Sequence, residues 1–163
     1  MSRYRPPAPK SSSYITIEGM RTLEAEQKTL WPRRREVVAA LSAAAAEGDR
    51  SENAEYIYRK KELRELDRRI RYLQKRLPDL TVVDEKPARS DRVYFGATVH
   101  LADKRENISI YRIVGPDEFD HKENYISVDS PLAQVLLRRE VGENVTVEVP
   151  GGIHRYLITD ISY

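Results

Sequence analysis

The sequence has no cysteine, few histidines and no long apolar run. Without cysteine there is neither a disulfide framework nor a thiolate metal site, which fits a reducing compartment. No apolar segment approaches the roughly 18 residues that a membrane-spanning helix needs. Met1 to Lys10 contains arginines but lacks the apolar stretch of a secretory signal. These absences predict a cytoplasmic protein with no membrane association.

The net charge is small but unevenly distributed. The 163 residues carry a formal charge of +2, yet residues 1–80 hold 18 Lys/Arg against 12 Asp/Glu, and residues 81–163 hold 10 against 14. A basic N-terminal half indicates an anionic partner, with nucleic acid as the first candidate. The alternative is a solvated, salt-bridged pair of helices.

Composition and periodicity divide the chain into four parts. Residues 1–13 are rich in proline and serine and predict a mobile tail. Residues 14–80 predict two long amphipathic helices, residues 81–92 a linker, and residues 93–163 a small α+β domain. The predicted fold class is α+β: an antiparallel coiled-coil hairpin followed by an antiparallel sheet packed on one short helix.

Apolar residues recur at steps of three and four in both predicted helices, which is the pattern of a coiled-coil seam. Thr16 is a predicted N-cap, Pro32 is expected to bend the first helix, and Gly48 and Pro78 are expected to end the two helices. The seam positions are Met20, Leu23, Gln27, Leu30, Arg34, Val37 and Leu41, then Tyr56, Arg59, Leu63, Leu66, Ile70, Leu73 and Leu77.

Alternating β-branched and aromatic residues predict five strands in the C-terminal part. Ser130 followed by Pro131 is typical of a helix start, and Leu132, Val135 and Leu136 give that short helix an apolar face. The predicted strands are 94–101, 108–114, 125–128, 145–149 and 156–161.

Asp49 and Glu52 lie three residues apart where the chain enters the second helix. One interpretation is a capping box, in which Asp49 accepts backbone amides and Glu52 reaches back. The other is that the two carboxylates bind a divalent cation, although they supply too few oxygens to hold Mg²⁺ tightly by themselves. Ser51 and Asn53 fit either a ligand-orienting role or a cap.

The segment from Gly48 to Tyr56 resembles the tip motif of the Gre transcript-cleavage factors. Leu63 to Leu73 is similar to the second arm of the GreB branch, and 93–97 and 126–133 are similar to its C-terminal domain. The likeness covers nearly the whole chain after the tail. Pro32 and the three arginines after it differ from typical first arms.

The resemblance implies an FKBP-like C-terminal domain that docks on the largest subunit of bacterial RNA polymerase at the secondary channel, through Asp129, Ser130 and Pro131. It also implies a hairpin that enters the channel, where Asp49 and Glu52 act as the catalytic carboxylates and hold a Mg²⁺ ion shared with the polymerase. The protein would then be a monomeric activator and not itself an enzyme.

The same resemblance implies that the nascent RNA 3′ end lies close to basic residues behind the tip. Arg59, Lys60, Lys61 and Arg64 are expected to neutralise its phosphates, a contact that salt weakens; the alternative is a solvated helix face. Tyr56 and Tyr58 are candidates for stacking on bases.

Two other functions remain open on the sequence alone. One is a channel-binding regulator with the same fold that inhibits or modulates polymerase without cleavage. The other is a coiled-coil nucleic-acid binder that acts independently of polymerase.

Overall fold

A computed structural model describes residues 7–48 and 53–163. The chain divides into two compact units. Residues up to Gly19 together with Thr81–Tyr163 form what we call the C-terminal unit, and Met20–Leu80 form the hairpin unit. The boundaries between the two units thus fall after Gly19 and after Leu80. The sequence prediction placed the hairpin at 14–80, a linker at 81–92 and the α+β domain at 93–163.

Two helices make up most of the hairpin unit. Helix α1 spans Ile17–Ala46 with Pro32 inside it, and helix α2 spans Ala54–Arg76. The predicted N-cap of α1 is confirmed, because the Gly19 amide donates to Thr16 Oγ1 at 3.0 Å. After α2 the chain forms a single 3-10 turn, Leu77–Asp79, which contains the expected proline.

The predicted seam lies on the protected face of both helices. Leu23, Val37, Ile70 and Leu73 are buried, and the remaining seam positions are half-buried. Ala44, one turn beyond the last predicted seam residue of α1, is buried as well. The three-and-four spacing therefore identified the inward face of each helix correctly.

Ion pairs also join the two helices, one of them from the seam position Arg34. The Arg69 guanidinium donates to both carboxylate oxygens of Glu26, at 2.6 and 2.9 Å. Arg34 Nε donates to Asp67 Oδ1 at 2.6 Å, and Arg33 pairs with Glu62. The arginines that distinguish this first arm are therefore used, at least in part, to hold it to α2.

A five-stranded sheet forms the C-terminal unit, together with a two-stranded parallel pair of β1 (Tyr14–Ile15) and β2 (Thr81–Val82). The strands of the large sheet are β3 (Thr98–Ala102), β4 (Ile108–Val114), β5 (Tyr125–Ser127), β6 (Asn144–Val149) and β7 (Gly152–Ser162). Their order is β5-β4-β3-β7-β6, and all neighbours are antiparallel except β4 and β5. Helix α3, Pro131–Leu136, packs against this sheet.

The core of this unit lies between the sheet and α3. Alternate residues of β3, Val99 and Leu101, are fully buried, as are Ile113 of β4 and Ile158 of β7. Leu136 of α3 is buried against them, while Leu132 and Val135 are partly buried at the edge of the cluster. The predicted α+β class, a long helical hairpin plus a mainly antiparallel sheet carrying one short helix, is confirmed.

Differences from the sequence prediction include the start of β3 and an additional short strand pair. The strand predicted from Tyr94 begins only at Thr98, because the chain turns first: the Ala97 amide donates to Tyr94 O at 3.1 Å, and Gly96 has a φ of 86°. The β1–β2 pair was not predicted, since two-residue strands carry almost no periodicity.

The last residues of the predicted tail are held in place. The Ser12 amide donates to Asp129 Oδ2 at 2.9 Å, and Ser13 O accepts the Thr81 amide at 2.8 Å. Residues 1–6 lie outside the described part of the chain. Within the described ranges, 7–48 and 53–163, no helix is both long and apolar enough to cross a membrane.

Candidate functional site

The predicted metal ligands Asp49 and Glu52 lie outside the described residues, as does Ser51. The structure defines the two residues that flank this segment. Gly48 follows α1 and is exposed, and Asn53 precedes α2 and is half-buried. The site is therefore built from its described surroundings: the start of α2, the basic residues behind it and the start of α3.

Asn53 is the N-cap of α2 and also links the two arms. Its backbone is extended, with φ −84° and ψ 103°, and its Oδ1 accepts the Tyr56 amide at 3.1 Å. Its Nδ2 donates to the Ala44 carbonyl oxygen of α1 at 2.7 Å. One side chain thus satisfies a free amide at the start of α2 and a carbonyl near the end of α1.

Asn53 therefore has the capping role, one of the two roles considered for it. Asp49 and Glu52 lie outside the described residues, so their capping-box interpretation and their metal-ligand interpretation both stay predictions.

The four predicted RNA-binding residues fall into two groups. Arg59 is only 25% exposed and pairs with Glu55 at 2.8 Å and Glu62 at 3.1 Å. Lys60, Lys61 and Arg64 are exposed on α2. Lys60 Nζ lies 5.8 Å from the centroid of the Tyr56 ring, within cation–π range. Three of the four cations are thus on the solvent side of the helix, whereas Arg59 is engaged by neighbouring acids.

The ion pairs around Arg59 shift the pKa values of Arg59 and Glu62. Hydrogen bonds to Glu55 and Glu62 raise the pKa of Arg59. Burial raises the pKa of Glu62, but hydrogen bonds from Arg33 and Arg59 outweigh it, so that the net pKa is lowered. Glu62 therefore remains a carboxylate and joins α1 to α2 while it neutralises Arg59.

Two tyrosines behind the tip have different surroundings. Tyr56 is half-buried, in agreement with its seam position, whereas Tyr58 is 58% exposed with the Arg59 guanidinium 5.5 Å from its ring centroid. Ile57 is also exposed, at 52%. Of the two stacking candidates, Tyr58 has the ring that is open to a base.

The three predicted polymerase-binding residues start α3. Ser130 Oγ accepts the Ala133 amide at 3.2 Å as the N-cap, and Pro131 occupies the first turn and is exposed. Asp129 is exposed, and its Oδ2 accepts the Ser12 amide. The structure brings the three together at one exposed corner, where the serine has a clear structural role and the proline and aspartate remain at the surface.

The described residues, 7–48 and 53–163, hold no group of three or more Asp, Glu or His side chains arranged to bind a metal ion.

The ion pairs of Arg33 and Arg34 with α2 were not predicted, although the charge pattern of the two helices indicates them. Acids of α2 lie on the flank that faces a basic first arm, and Glu62 and Asp67 are two of them.

Comparison with known proteins identifies the chain as a two-part transcription factor. Residues 13–82 match the family described as "Transcription elongation factor, N-terminal", and residues 87–163 match "Transcription elongation factor, GreA/GreB, C-term". The chain belongs to the GreA/GreB family of transcription elongation factors.

Relatives within the family are similar to the chain over all or nearly all of its length. "Transcription elongation factor GreB" of Xanthomonas axonopodis pv. citri is 54% identical, with 100% of this chain and 98% of the relative covered. The proteins of the same name from Pseudomonas aeruginosa and Yersinia pestis are 53% and 51% identical, covering 100% and 93% of this chain and 98% and 90% of theirs. The chain is thus a GreB-like member of the family.

Proposed function

We propose that this protein binds RNA polymerase at its secondary channel in the cytoplasm and stimulates the polymerase's own cleavage of backtracked RNA. The observation that carries the proposal is the acidic motif 48–56, which runs from just after α1 into the start of α2 in a GreB-like elongation factor. Cleavage gives a new RNA 3′ end in the active site, so that arrested elongation resumes. The protein itself is not the enzyme in this reaction.

Asp49 and Glu52 are the residues that would hold the Mg²⁺ ion. Carboxylate oxygens are suitable ligands for this hard cation, but two side chains are fewer than its six ligands, so the polymerase has to supply others. When bound between the two proteins, the ion would stabilise charge on the attacking and leaving oxygens and lower the pKa of a bound water. The protein's own contribution is to bring the two carboxylates to that place.

Exposed cations behind the tip would contact the phosphates of the extruded RNA. Lys60, Lys61 and Arg64 are exposed on α2, and Tyr58 offers an open ring in the same region. Their phosphate contacts would weaken as salt rises. Arg59 contributes less directly, because Glu55 and Glu62 already neutralise it.

Asp129, Ser130 and Pro131 would form the docking surface for a helical hairpin of the polymerase's largest subunit. Pro131 and Asp129 are exposed, and the Ser130 cap fixes the backbone between them. Docking would use this surface of the C-terminal unit, whereas cleavage would use Asp49 and Glu52. Binding and cleavage should therefore respond to different substitutions.

The proposal is tested by adding the protein to a stalled, backtracked polymerase complex in Mg²⁺ and measuring RNA shortening. We expect Asp49→Ala and Glu52→Ala to abolish the stimulation while polymerase binding is retained, because the docking surface is unchanged. Glu47→Ala removes an exposed acid just before the segment and serves as the matched control. Cleavage retained by the double variant would refute the metal role. Inhibition of elongation without shortened RNA would point to a regulator that blocks the channel.

A further inference from the structure

Glu118 is a buried carboxylate of the C-terminal unit that the function described above does not use. Its side chain is 1% exposed. Oε2 accepts the backbone amides of Thr16 at 2.7 Å and Gly115 at 3.1 Å, and Oε1 accepts the Thr16 hydroxyl at 2.5 Å. A carboxylate withdrawn from water needs such donors, because an unpaired buried charge is strongly destabilising.

Two glycines make room for this carboxylate and for the chain beside it. A Cβ at Gly19 would lie 2.4 Å from Glu118 Oε1, and a Cβ at Gly115 would lie 2.1 Å from the Tyr14 carbonyl oxygen. Gly19 lies within α1, where glycine is less favourable than alanine by about 1 kcal/mol. The glycine is therefore explained by the close approach of the carboxylate.

The contacts centre on the first turn of α1. The Thr16 hydroxyl donates to Glu118 and accepts the Gly19 amide, so the N-cap of the helix is itself fixed by the buried acid. The positive end of the helix dipole also favours a carboxylate at this position. We call Thr16, Gly19 and Glu118 the root clamp.

Small errors at the first turn are amplified along a helix of this length. Helix α1 has 30 residues and is continuous to Ala46, so at 1.5 Å per residue it is about 45 Å long. A tilt of about 5° at one end displaces the other by about 4 Å over that length. A misplacement of about 1 Å can cost about 10²-fold in the rate of a positioned reaction.

We propose that Glu118 is a positioning residue, whose root clamp holds the start of α1 so that a docked protein delivers Asp49 and Glu52 to the polymerase's metal site. The inference rests on the proposed function. It predicts that the root clamp determines how fast RNA is cleaved once the protein is bound, and that it does not determine how tightly the protein binds.

The experiment uses the full-length protein and backtracked polymerase complexes. For each variant, the maximal cleavage rate at saturating protein is measured separately from the half-saturating concentration. Gly19→Ala is the principal variant, because it favours the helix but forces the carboxylate away. Gly151→Ala is the matched control, since nothing lies within 4 Å of a Cβ at that glycine. Amide hydrogen exchange in the first turn of α1 is measured on the same proteins without polymerase.

We expect Gly19→Ala and Glu118→Ala each to lower the maximal cleavage rate by up to about 10²-fold and to leave the half-saturating concentration unchanged. Both should also accelerate amide exchange in the first turn of α1. In a Glu118→Ala background, Gly19→Ala should have little further effect, since the two residues act through one contact. Glu118→Gln should retain most of the rate, because the amide oxygen still accepts the two backbone amides and its NH₂ can donate to Thr16.

The possible outcomes separate this inference from the proposed function. If wild type cleaves and both alanine variants match its maximal rate, the positioning role is wrong and the proposed function stands. An unchanged maximal rate with a raised half-saturating concentration would also overturn it, since Glu118 would then act in docking. If wild type does not stimulate cleavage, the proposed function and the positioning role fail together, and the exchange measurement still decides whether the clamp exists. If Glu118→Ala does not fold, Gly19→Ala decides.

Discussion

The C-terminal unit and the hairpin unit are held together by different kinds of contact. In the C-terminal unit most of the buried apolar side chains form one cluster between the sheet and α3. In the hairpin unit most seam positions are only half-buried, and ion pairs together with the Asn53 cap connect the two helices. Truncation of apolar side chains should therefore destabilise the C-terminal unit more than the hairpin unit. Changes of pH and substitutions at the ion pairs or the Asn53 cap should act on the stability of the hairpin unit.

The largest expected effect is a truncation in the sheet core. Leu101→Ala should destabilise the C-terminal unit by about 2–5 kcal/mol, because a fully buried leucine leaves a cavity in a packed core. Leu66→Ala, at a half-buried seam position of α2, is the counterpart and should cost the hairpin unit less. Urea-dependent amide hydrogen exchange reads the two units separately in the intact protein. Equal losses at the two leucines would contradict the comparison.

A smaller effect is expected at the Asn53 cap. Asn53→Ala should destabilise the start of α2 by about 1–2 kcal/mol, since it removes the acceptor for the Tyr56 amide. Asn53→Asp keeps that acceptor but loses the donor to Ala44, so it separates the cap from the link between the arms. Exchange rates at the first amides of α2 measure the difference. If aspartate is as damaging as alanine, the link to α1 matters more than the cap.

The smallest effect concerns the pH dependence of the hairpin unit. The folded pKa of Glu62 is lowered, so its contribution is present above the unfolded value, about 4.3, and is lost as pH falls through the folded value. Wild type should therefore lose hairpin stability between neutral and acidic pH more steeply than Glu62→Gln. Glu65→Gln removes an exposed carboxyl of the same helix as a control. A wild-type slope no steeper than that of Glu62→Gln would show that this carboxylate contributes no pH dependence.

Periodic burial was predictable from the sequence because it depends on local spacing. Every predicted seam position in α1 and α2 is buried or half-buried, and the bounds of β4 agree with the prediction from Ile108 to Val114. The start of α3 at Ser130 was predictable for a similar reason, since a serine followed by proline specifies its own cap. Such features need no knowledge of distant residues.

Contacts between distant residues were not predictable in this way. Asn53 could be named from the sequence as a candidate cap, but its hydrogen bond to Ala44 on the other helix could not be predicted. Glu118 lies 102 residues from Thr16 in sequence, and nothing in its local pattern distinguishes it from a surface acid. Both misses arise because tertiary hydrogen bonds decide which polar residue is used.

The short β1–β2 pair has a consequence for how the molecule tolerates change. It places Tyr14 beside Thr81 and Ile15 beside Val82, so the chain leaves and re-enters the C-terminal unit through adjacent points. A segment whose two ends lie side by side behaves as an insertion, and its length can vary without altering the domain that carries it. Variants in which α1 and α2 are shortened or extended by the same number of heptads should therefore keep the C-terminal unit intact. Such variants would test what helix length the function requires.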